Sequence, residues 1–224
     1  MIKRHSSRRN RLDHAVLNQR LEGAVSYDRI AGYFRSSLFE VAGEAISKVT
    51  GTVRIICNSD IDAQDMITAA AAQAALRRSW CSGKPEDAPP IAIPRYRALY
   101  EALTSKKMEV RVLPDSAFGL IHGKAGIVRH ADGSATAFLG SVNESASAWK
   151  VNYELLWEDD DPETINWVQE EFDALWNDAR AVDLACCPFI ATFTGITDDC
   201  ISAIISGLIL TPYLNSMSSN LKSY

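Results

Sequence analysis

Apolar and polar positions divide the first half of the chain into helices and strands. Helical periodicity or an alanine-rich pattern predicts helices over residues 12–23, Leu38–Val49, Ala63–Trp80 and Arg95–Lys107. β-Branched and apolar runs predict buried strands at Arg29–Phe34, Thr52–Cys57 and Met108–Leu113. The resulting order of strands and helices predicts a largely parallel sheet with helices on both faces.

The pattern changes in the second half of the chain, where strands follow one another directly. Leu120–His130 and Ser134–Leu139 flank Ala131-Asp132-Gly133, which is a hairpin signal. Asn152–Glu158 is the next predicted strand. Asp159-Asp160-Asp161-Pro162 then leads into an amphipathic helix, and the tryptophans of this region are predicted to be core residues: Trp157, Trp167 and Trp176. Cys81–Pro94, with four prolines, is predicted to be an exposed loop.

A chain of 224 residues can form one α/β domain with a sizeable core. We divide it into a basic N-terminal arm and helix (1–24), a central domain (25–180) and a C-terminal tail (181–224). The last segment has one Lys, no Arg and no clear structural pattern.

The charge is distributed unevenly along the sequence. The net charge is −5, yet five basic residues precede the first acid: Lys3, Arg4, Arg8, Arg9 and Arg11. The remainder carries 18 basic and 28 acidic side chains, or about −10. Such an arm is suited to a phosphate backbone, and it is equally typical of a solvated, disordered start.

The cysteines and apolar runs bear on the compartment. Five cysteines form no CxxC pair, and the N-terminus lacks the apolar core of a secretory signal, which indicates reduced thiols in the cytoplasm. The longest apolar run, Ile201–Leu210, is far shorter than a membrane helix. We therefore expect a soluble protein without membrane contact, metal or cofactor. The spacing of zinc sites is absent from the sequence, and Asp159–Asp161 is typical of a solvated helix start.

Candidate chemistry is concentrated at His122 and Lys124, two residues apart on a predicted strand. Side chains at this spacing share a face and lie roughly 7 Å apart. An imidazole can attack phosphorus, and an ammonium can neutralise the charge that builds on the non-bridging oxygens.

Two further polar motifs follow. Gly140-Ser141-Val142-Asn143-Glu144-Ser145 ends a strand with hydroxyl, amide and backbone donors that suit phosphate oxygens. Eleven residues beyond Asn143, Glu154 places a carboxylate at the start of the next strand. The succession of these motifs is far more specific than a single His-x-Lys.

The sequence resembles the phospholipase D superfamily, whose signature is His-x-Lys, four residues, Asp, and later Gly-Ser-x-Asn. The resemblance spans about residues 25–178. Tyr27–Phe34 and Val53–Asn58 are similar to the start of bacterial phospholipase D-like modules, which occur alone or fused to helicases in DNA restriction and defence systems. The resemblance implies a phospholipase D-like α-β-α sandwich with a mostly parallel mixed central sheet.

One position departs from the signature, because Arg129 stands where the family has Asp. Metal-independent restriction nucleases of the superfamily also lack this Asp and use His, Lys, Asn and a Glu about eleven residues beyond the Asn. The resemblance therefore implies a nuclease rather than a lipase, with catalytic residues His122, Lys124, Ser141, Asn143 and Glu154.

A site of this superfamily needs two His-x-Lys motifs, and this chain has one. The resemblance thus implies a homodimer with a shared site. One His122 would form a phosphohistidine, the other would protonate the leaving oxygen, and Glu154 would orient an imidazole. The expected partners are DNA, a second copy of the chain and a helicase or ATPase of a defence system.

Other residues are candidates for substrate binding: Arg29, Gly140, Ser145 and Lys150. For Arg29, an ion pair with Asp28 or Glu154 is an equal alternative. For the neighbouring Trp149, a packed position is favoured over stacking on a nucleic-acid strand, and His130 is expected to be only an exposed residue. The alternative function is an inactive phospholipase D-fold module that binds nucleic acid or a partner.

Overall fold

An eight-stranded mixed sheet is the centre of this computed structural model, which describes residues 2–58, 60–82, 91–114, 117 and 120–186. The strands are β1 (Lys3–Ser6), β2 (Ala24–Ile30), β3 (Val53–Asn58), β4 (Met108–Leu113), β5 (Lys124–His130), β6 (Ala135–Gly140), β7 (Leu155–Asp159) and β8 (Val182–Asp183). Their order across the sheet is β1-β7-β6-β5-β2-β3-β4-β8.

Helices connect and cover these strands. They are α1 (Gln19–Leu21), which continues a π-helical stretch at Asp13–Asn18, α2 (Phe39–Lys48), α3 (Ala63–Ser82), α4 (Pro94–Thr104), α5 (Ala146–Lys150) and α6 (Pro162–Trp176). Short 3₁₀ turns occupy Ser36–Leu38 and Leu184–Cys186. The start of α6 follows from its sequence, because the Asp161 carboxylate accepts from the Glu163 and Thr164 N–H groups at 3.0 and 3.3 Å.

Helices lie on both faces of the sheet. Because side chains alternate between the two faces along a strand, one strand can pack against both layers of helices. On β3, Val53 and Ile55 belong to a core shared with α2 and α4, whereas Ile56 packs on the opposite face with Phe172 of α6. The predicted α/β class with a mixed sheet between helices is therefore confirmed.

The parallel part of the sheet is smaller than predicted. Only β2–β3 and β3–β4 pair in parallel, while the other pairings between these eight strands are antiparallel. The physical reason is the second half of the chain, where a tight turn joins β5 to β6 and a loop with the short helix α5 joins β6 to β7, so that neighbouring strands alternate in direction.

The basic N-terminal segment joins this sheet. Lys3–Ser6 pairs antiparallel with β7, and Leu12, Val16 and Leu21 are buried in the main core. At the other end, Val182–Asp183 pairs with β4. The rest of the predicted tail, residues 187–224, lies outside the described residues.

Two predicted strands have shifted bounds near the candidate chemistry. The strand expected at Arg29–Phe34 ends at Ile30, because the Gly32 and Tyr33 N–H groups donate to the Asn143 side chain instead of to a neighbouring strand. The strand expected to contain His122 begins only at Lys124, which pairs with the last residue of β6, Gly140. Placing His122 on a strand was therefore wrong.

The prediction for two tryptophans was also wrong. Trp157 on β7 is 54% exposed and Trp167 on α6 is 51% exposed, whereas Trp176 is buried as expected. Trp157 alternates with the buried Leu156 and Glu158, so its face of β7 points away from the main core. The predicted Cys81–Pro94 loop begins later, since α3 extends to Ser82, and residues 83–90 lie outside the described residues.

Candidate active site

Four strand ends meet at one edge of the sheet and carry the candidate residues. Strands β2 and β6 run opposite to β5 and β7, so the carboxyl ends of the first pair adjoin the amino ends of the second. Gly32 follows β2, Lys124 begins β5, Ser141 follows β6 and Glu154 precedes β7. The structure thus brings together residues that are up to 122 positions apart in the sequence.

The Asn143 side chain is fixed in one orientation. Its Oδ1 accepts from the N–H groups of Gly32 and Tyr33 at 2.8 and 3.3 Å. Because the oxygen is occupied by two donors, the amide NH₂ is the group left to donate. Asn143 can therefore present a neutral donor to a phosphate oxygen, as the sequence predicts.

Lys124 lies beside this amide. Its Nζ and the Asn143 Oδ1 lie 3.2 and 2.9 Å from the point that a β-carbon on Gly32 would occupy. The ammonium donates a 2.7 Å hydrogen bond to the carbonyl oxygen of His122. Burial lowers the pKa of Lys124, the nearby Arg29 guanidinium lowers it further, and the Glu154 carboxylate partly offsets both effects.

The His122 side chain is exposed, in the segment that leads into β5. Among the described residues, its imidazole has no hydrogen-bond partner, while its backbone carbonyl is held by Lys124. An exposed imidazole on an anchored backbone can reach a substrate phosphorus. This is the arrangement that a nucleophile at the sheet edge needs.

The Ser141 hydroxyl and the Glu154 carboxylate bind each other. Ser141 Oγ donates to Glu154 Oε2 and accepts from the Leu155 N–H at 3.1 Å. Glu154 is buried, and Asn152 Nδ2 lies 3.4 Å from its other oxygen. Within the described part of one chain, the carboxylate therefore contacts Ser141 and Asn152 rather than the imidazole that it was predicted to orient.

Arg29 does not reach the open site, because it is buried and paired. Its guanidinium donates to the Glu144 carboxylate and to the Val142 carbonyl oxygen, and only 1% of the residue is exposed. The structural alternative is thus favoured, with a partner that the sequence interpretation missed. Asp28 lies on the opposite face of the sheet and pairs with Arg54 at 2.6 and 2.7 Å.

Glu144 is the functional-site residue that sequence reasoning overlooked. Its carboxylate also accepts from the Tyr27 hydroxyl at 3.0 Å and from the Trp149 indole at 3.4 Å. Its backbone carbonyl accepts from the Arg35 N–H at 2.9 Å, so it ties the loop after β6 to the loop after β2. A buried arginine on a central strand requires a buried acidic partner. This requirement was the signal in the sequence from which a partner such as Glu144 could have been expected.

The other substrate-binding candidates are distributed as follows. Gly140 is required by a close approach of strands, since a β-carbon there would lie 2.2 Å from the Leu155 carbonyl oxygen. Ser145 is buried and caps α5, accepting from the Ala148 N–H at 3.3 Å, so the structure does not bring its side chain to the open site. Lys150 is exposed at the end of α5, and Trp149 is packed as favoured.

Arg129, at the position where the signature has Asp, points to a structural role. Its guanidinium donates to the Gln169 side chain of α6 at 2.9 Å. Five residues along a strand separate it from Lys124 by about 16 Å. Replacing Asp by Arg here therefore leaves the sheet-edge groups in place.

Two structural features are absent from the described ranges: a cluster of metal ligands and a membrane-spanning helix. Within these ranges, no group of three His, Cys, Asp or Glu side chains is arranged to hold a metal ion. None of the helices in these ranges has both the length and the apolar character of a membrane-crossing segment.

Comparisons with known proteins bear on the fold and on the family of the chain. Nuc from Salmonella typhimurium, a phospholipase D family member, superposes with a TM-score of 0.50 at 15% identity, over 82% of this chain and 97% of Nuc. NucT from Helicobacter pylori gives 0.48 at 17% identity, over 82% of this chain and 99% of NucT. No curated protein matches the sequence. Residues 17–176 match the family described as the cardiolipin synthase, PLD-like domain. The chain therefore belongs to this phospholipase D-like family.

Proposed function

We propose that the protein is a metal-independent phosphodiesterase that cleaves DNA through a phosphohistidine intermediate. The observation that carries the proposal is the convergence of an exposed His122, the Lys124 ammonium and the fixed Asn143 amide on one sheet edge. This set supplies a nucleophile, a cation for the non-bridging oxygens and a neutral donor. Nucleic acid as the substrate rests on the resemblance to restriction nucleases.

The reaction has two displacements at phosphorus. In the first, a ring nitrogen of His122 forms a bond to phosphorus as the bond to the leaving oxygen breaks, and the partner subunit's His122 donates a proton to that oxygen. In the second, water attacks phosphorus, the P–N bond breaks, and the partner's His122 accepts the proton of the water. Lys124 and Asn143 neutralise and bind the non-bridging oxygens in both steps.

A second copy is required because each chain contributes one His-x-Lys. An apolar patch beside the site is suited to this contact: Leu139, Leu155 and Trp157 are exposed at 36, 45 and 54%. Leu139 lies opposite Trp157 in the β6–β7 pairing, and Leu155 is two residues from Trp157 on β7, so all three side chains share one face of the sheet. A two-fold contact through this patch would bring two site edges together.

A place in a restriction or defence system, with a helicase or ATPase partner, is part of the same proposal and follows from the resemblance alone. The deciding experiment is cleavage of plasmid and single-stranded DNA in the presence of EDTA. We expect cleavage by the wild-type chain and a loss of at least thousands-fold in His122→Ala. The matched control is His130→Ala, at the opposite end of β5.

Equal activity of His122→Ala and wild type would contradict the site assignment. DNA binding without cleavage by the wild-type chain would instead support an inactive phospholipase D-fold binding module. Because His122 is exposed, its replacement should leave the fold intact, which circular dichroism can verify.

A further inference from the structure

The N-terminal basic segment ends beside the candidate site. Strand β1 pairs with β7 as far as Ser6 and Leu155. Ser7 continues this contact, since its N–H donates to the Glu154 carbonyl oxygen at 3.0 Å and its hydroxyl accepts from the Glu154 N–H at 2.8 Å. Glu154 in turn binds Ser141 through its side chain. The segment is thus joined to the site by two successive contacts.

A tight turn directly follows Ser7 and has a defined backbone. The N–H groups of Arg9 and Asn10 donate to the Ser6 carbonyl oxygen at 2.9 and 3.2 Å, and the Arg8 N–H donates to the Ser6 hydroxyl at 3.3 Å. Both arginines are exposed. A turn closed in this way holds two guanidinium groups close to the sheet edge.

The guanidinium groups of Arg8 and Arg9 differ in their contacts from those of nearby arginines. Arg11 pairs with Asp13 at 2.6 Å, Arg20 pairs with Glu158 at 2.6 Å, and Arg4 lies over the Trp157 ring at 5.5 Å. Within the described ranges, by contrast, no hydrogen bond or ion pair engages the guanidinium groups of Arg8 and Arg9. They remain available for a ligand with negative charge.

We propose that Arg8 and Arg9 bind backbone phosphates of a polynucleotide next to the phosphate that reacts. The inference rests on the proposed function and deepens it, because it makes a nucleic-acid chain, rather than a small diester, the preferred substrate. On a protein with a net charge of −5, a polyanion is attracted only by such a local concentration of positive charge. Guanidinium groups bind phosphate oxygens in a bidentate manner.

Nucleic acid is favoured over an anionic lipid surface as the partner. Ser6–Asn10 carries polar side chains only, and a segment that binds in a membrane interface needs apolar side chains to insert. The turn is also fixed to the sheet by Ser7, so its two guanidinium groups keep a defined position relative to successive phosphates of a nucleic-acid strand.

The test compares two substrates of the same chemistry. We expect Arg8→Ala/Arg9→Ala to lower the ratio of kcat/KM for a single-stranded 20-nucleotide DNA to kcat/KM for bis(p-nitrophenyl) phosphate by about tenfold or more at low salt. The control, Arg77→Ala/Lys106→Gly, removes two exposed charges from α3 and the turn after α4, with glycine at Lys106 because that residue has a φ of 56°. An unchanged ratio in the Arg8/Arg9 variant would overturn the inference.

A measurement of oligonucleotide binding tests this inference independently of the proposed activity. With His122→Ala as the background, fluorescence anisotropy of the labelled oligonucleotide should show a salt dependence whose log–log slope falls by about 1.4 when both arginines are removed, since each single-strand phosphate contact contributes about 0.7. This holds even if the chain cleaves nothing. Loss of binding to phosphatidylglycerol vesicles with no change in oligonucleotide affinity would overturn it in favour of a lipid surface.

Discussion

The ammonium of Lys124 donates a 2.7 Å hydrogen bond to the carbonyl oxygen of His122. The group that would neutralise phosphate charge is therefore anchored to the backbone that carries the candidate nucleophile. This bond also holds Lys124, the first residue of β5 that pairs with β6, against the segment that precedes the strand. A phosphate bound by Lys124 would consequently lie beside the backbone of His122.

The pKa of Lys124 predicts an alkaline limit of activity. Burial and Arg29 lower this pKa from the ordinary value of 10.5, so the ammonium loses its proton at a lower pH than a free lysine does. If catalysis needs the ammonium, kcat should fall on the alkaline side below pH 10.5. Lys124→Arg, if active, should lack this limb, because a guanidinium stays protonated. pH–rate profiles of both enzymes measure the contribution of Lys124. Because loss of the proton from the partner's His122 limits both enzymes alike, identical alkaline limbs in the two profiles would contradict the assignment.

The lowered pKa of Lys124 also affects stability, which changes with pH in the direction opposite to activity. Because the folded-state pKa is lower than the unfolded one, the unfolded chain binds more protons between the two values. The contribution of Lys124 to the free energy of unfolding therefore rises as pH increases through that window, while activity declines. Lys124→Met should lose activity about a hundredfold to a thousandfold. Its urea unfolding midpoint at neutral pH should be no lower than that of the wild type.

Gly32 should tolerate no side chain without a loss of activity. A β-carbon there would lie 2.9 Å from Asn143 Oδ1, 3.1 Å from the Ile121 carbonyl oxygen and 3.2 Å from Lys124 Nζ. Gly32→Ala should displace both polar groups and lower kcat by about a hundredfold, as expected for a misplacement of about 1 Å.

The control for this substitution is another glycine. At Gly43, in α2, a β-carbon meets only Phe39 atoms at 3.6 and 3.7 Å, which is ordinary contact. Gly43→Ala should leave kcat unchanged and stabilise the helix by about 1 kcal/mol. A Gly32→Ala enzyme with wild-type kcat would show that the spacing of Asn143 and Lys124 is not critical.

The buried pair of Arg29 and Glu144 should be important for stability. Glu144→Ala would leave a guanidinium that is 1% exposed without its carboxylate, which typically costs about 3–5 kcal/mol. It should also loosen the Asn143 loop and so reduce activity. Chemical denaturation measures the first effect. The comparison is Glu44→Ala, which removes a solvent-exposed pair with Lys48 and should leave the denaturation midpoint almost unchanged.

The sequence predicted the order of elements and the motifs because both are local. Helical periodicity located α2, α3, α4 and α6 to within a few residues, and β-branched runs located β3 and β4. Contacts between distant parts of the chain could not be predicted in this way. The pairing of β1 with β7 and the burial of Arg29 against Glu144 depend on contacts between residues more than 100 positions apart.

His122 and the tryptophans show where a local pattern misleads. His122 is preceded and followed by residues typical of a strand, yet the ladder starts at Lys124, because β6 ends at its partner Gly140. Trp157 has the composition of a core residue but lies on the face of β7 that α6 leaves open. Neither the residue at which a partner strand ends nor the part of the sheet that a helix covers can be determined from one segment of the sequence alone.

Trp157 provides the test of the shared site. If Leu139, Leu155 and Trp157 form the contact between two chains, Trp157→Ser should dissociate the dimer, with light scattering falling from about twice 24.6 kDa to 24.6 kDa. Activity should fall with it, since one chain supplies a nucleophile and no acid. Trp167→Ser is a close control, because this tryptophan is similarly exposed but lies on α6 outside the patch. It should leave both mass and activity unchanged.

A mixed dimer decides whether the two histidines act together. A dimer of one wild-type chain and one His122→Ala chain retains one nucleophile but lacks the acid that protonates the leaving oxygen. It should therefore be nearly inactive, whereas two independent sites would retain half of the activity. Differently tagged chains, co-expressed and purified by both tags, give this species. A half-active mixed dimer, or a fully active monomeric Trp157→Ser chain, would contradict the shared site, and a monomer with full activity would require a second acid within the same chain.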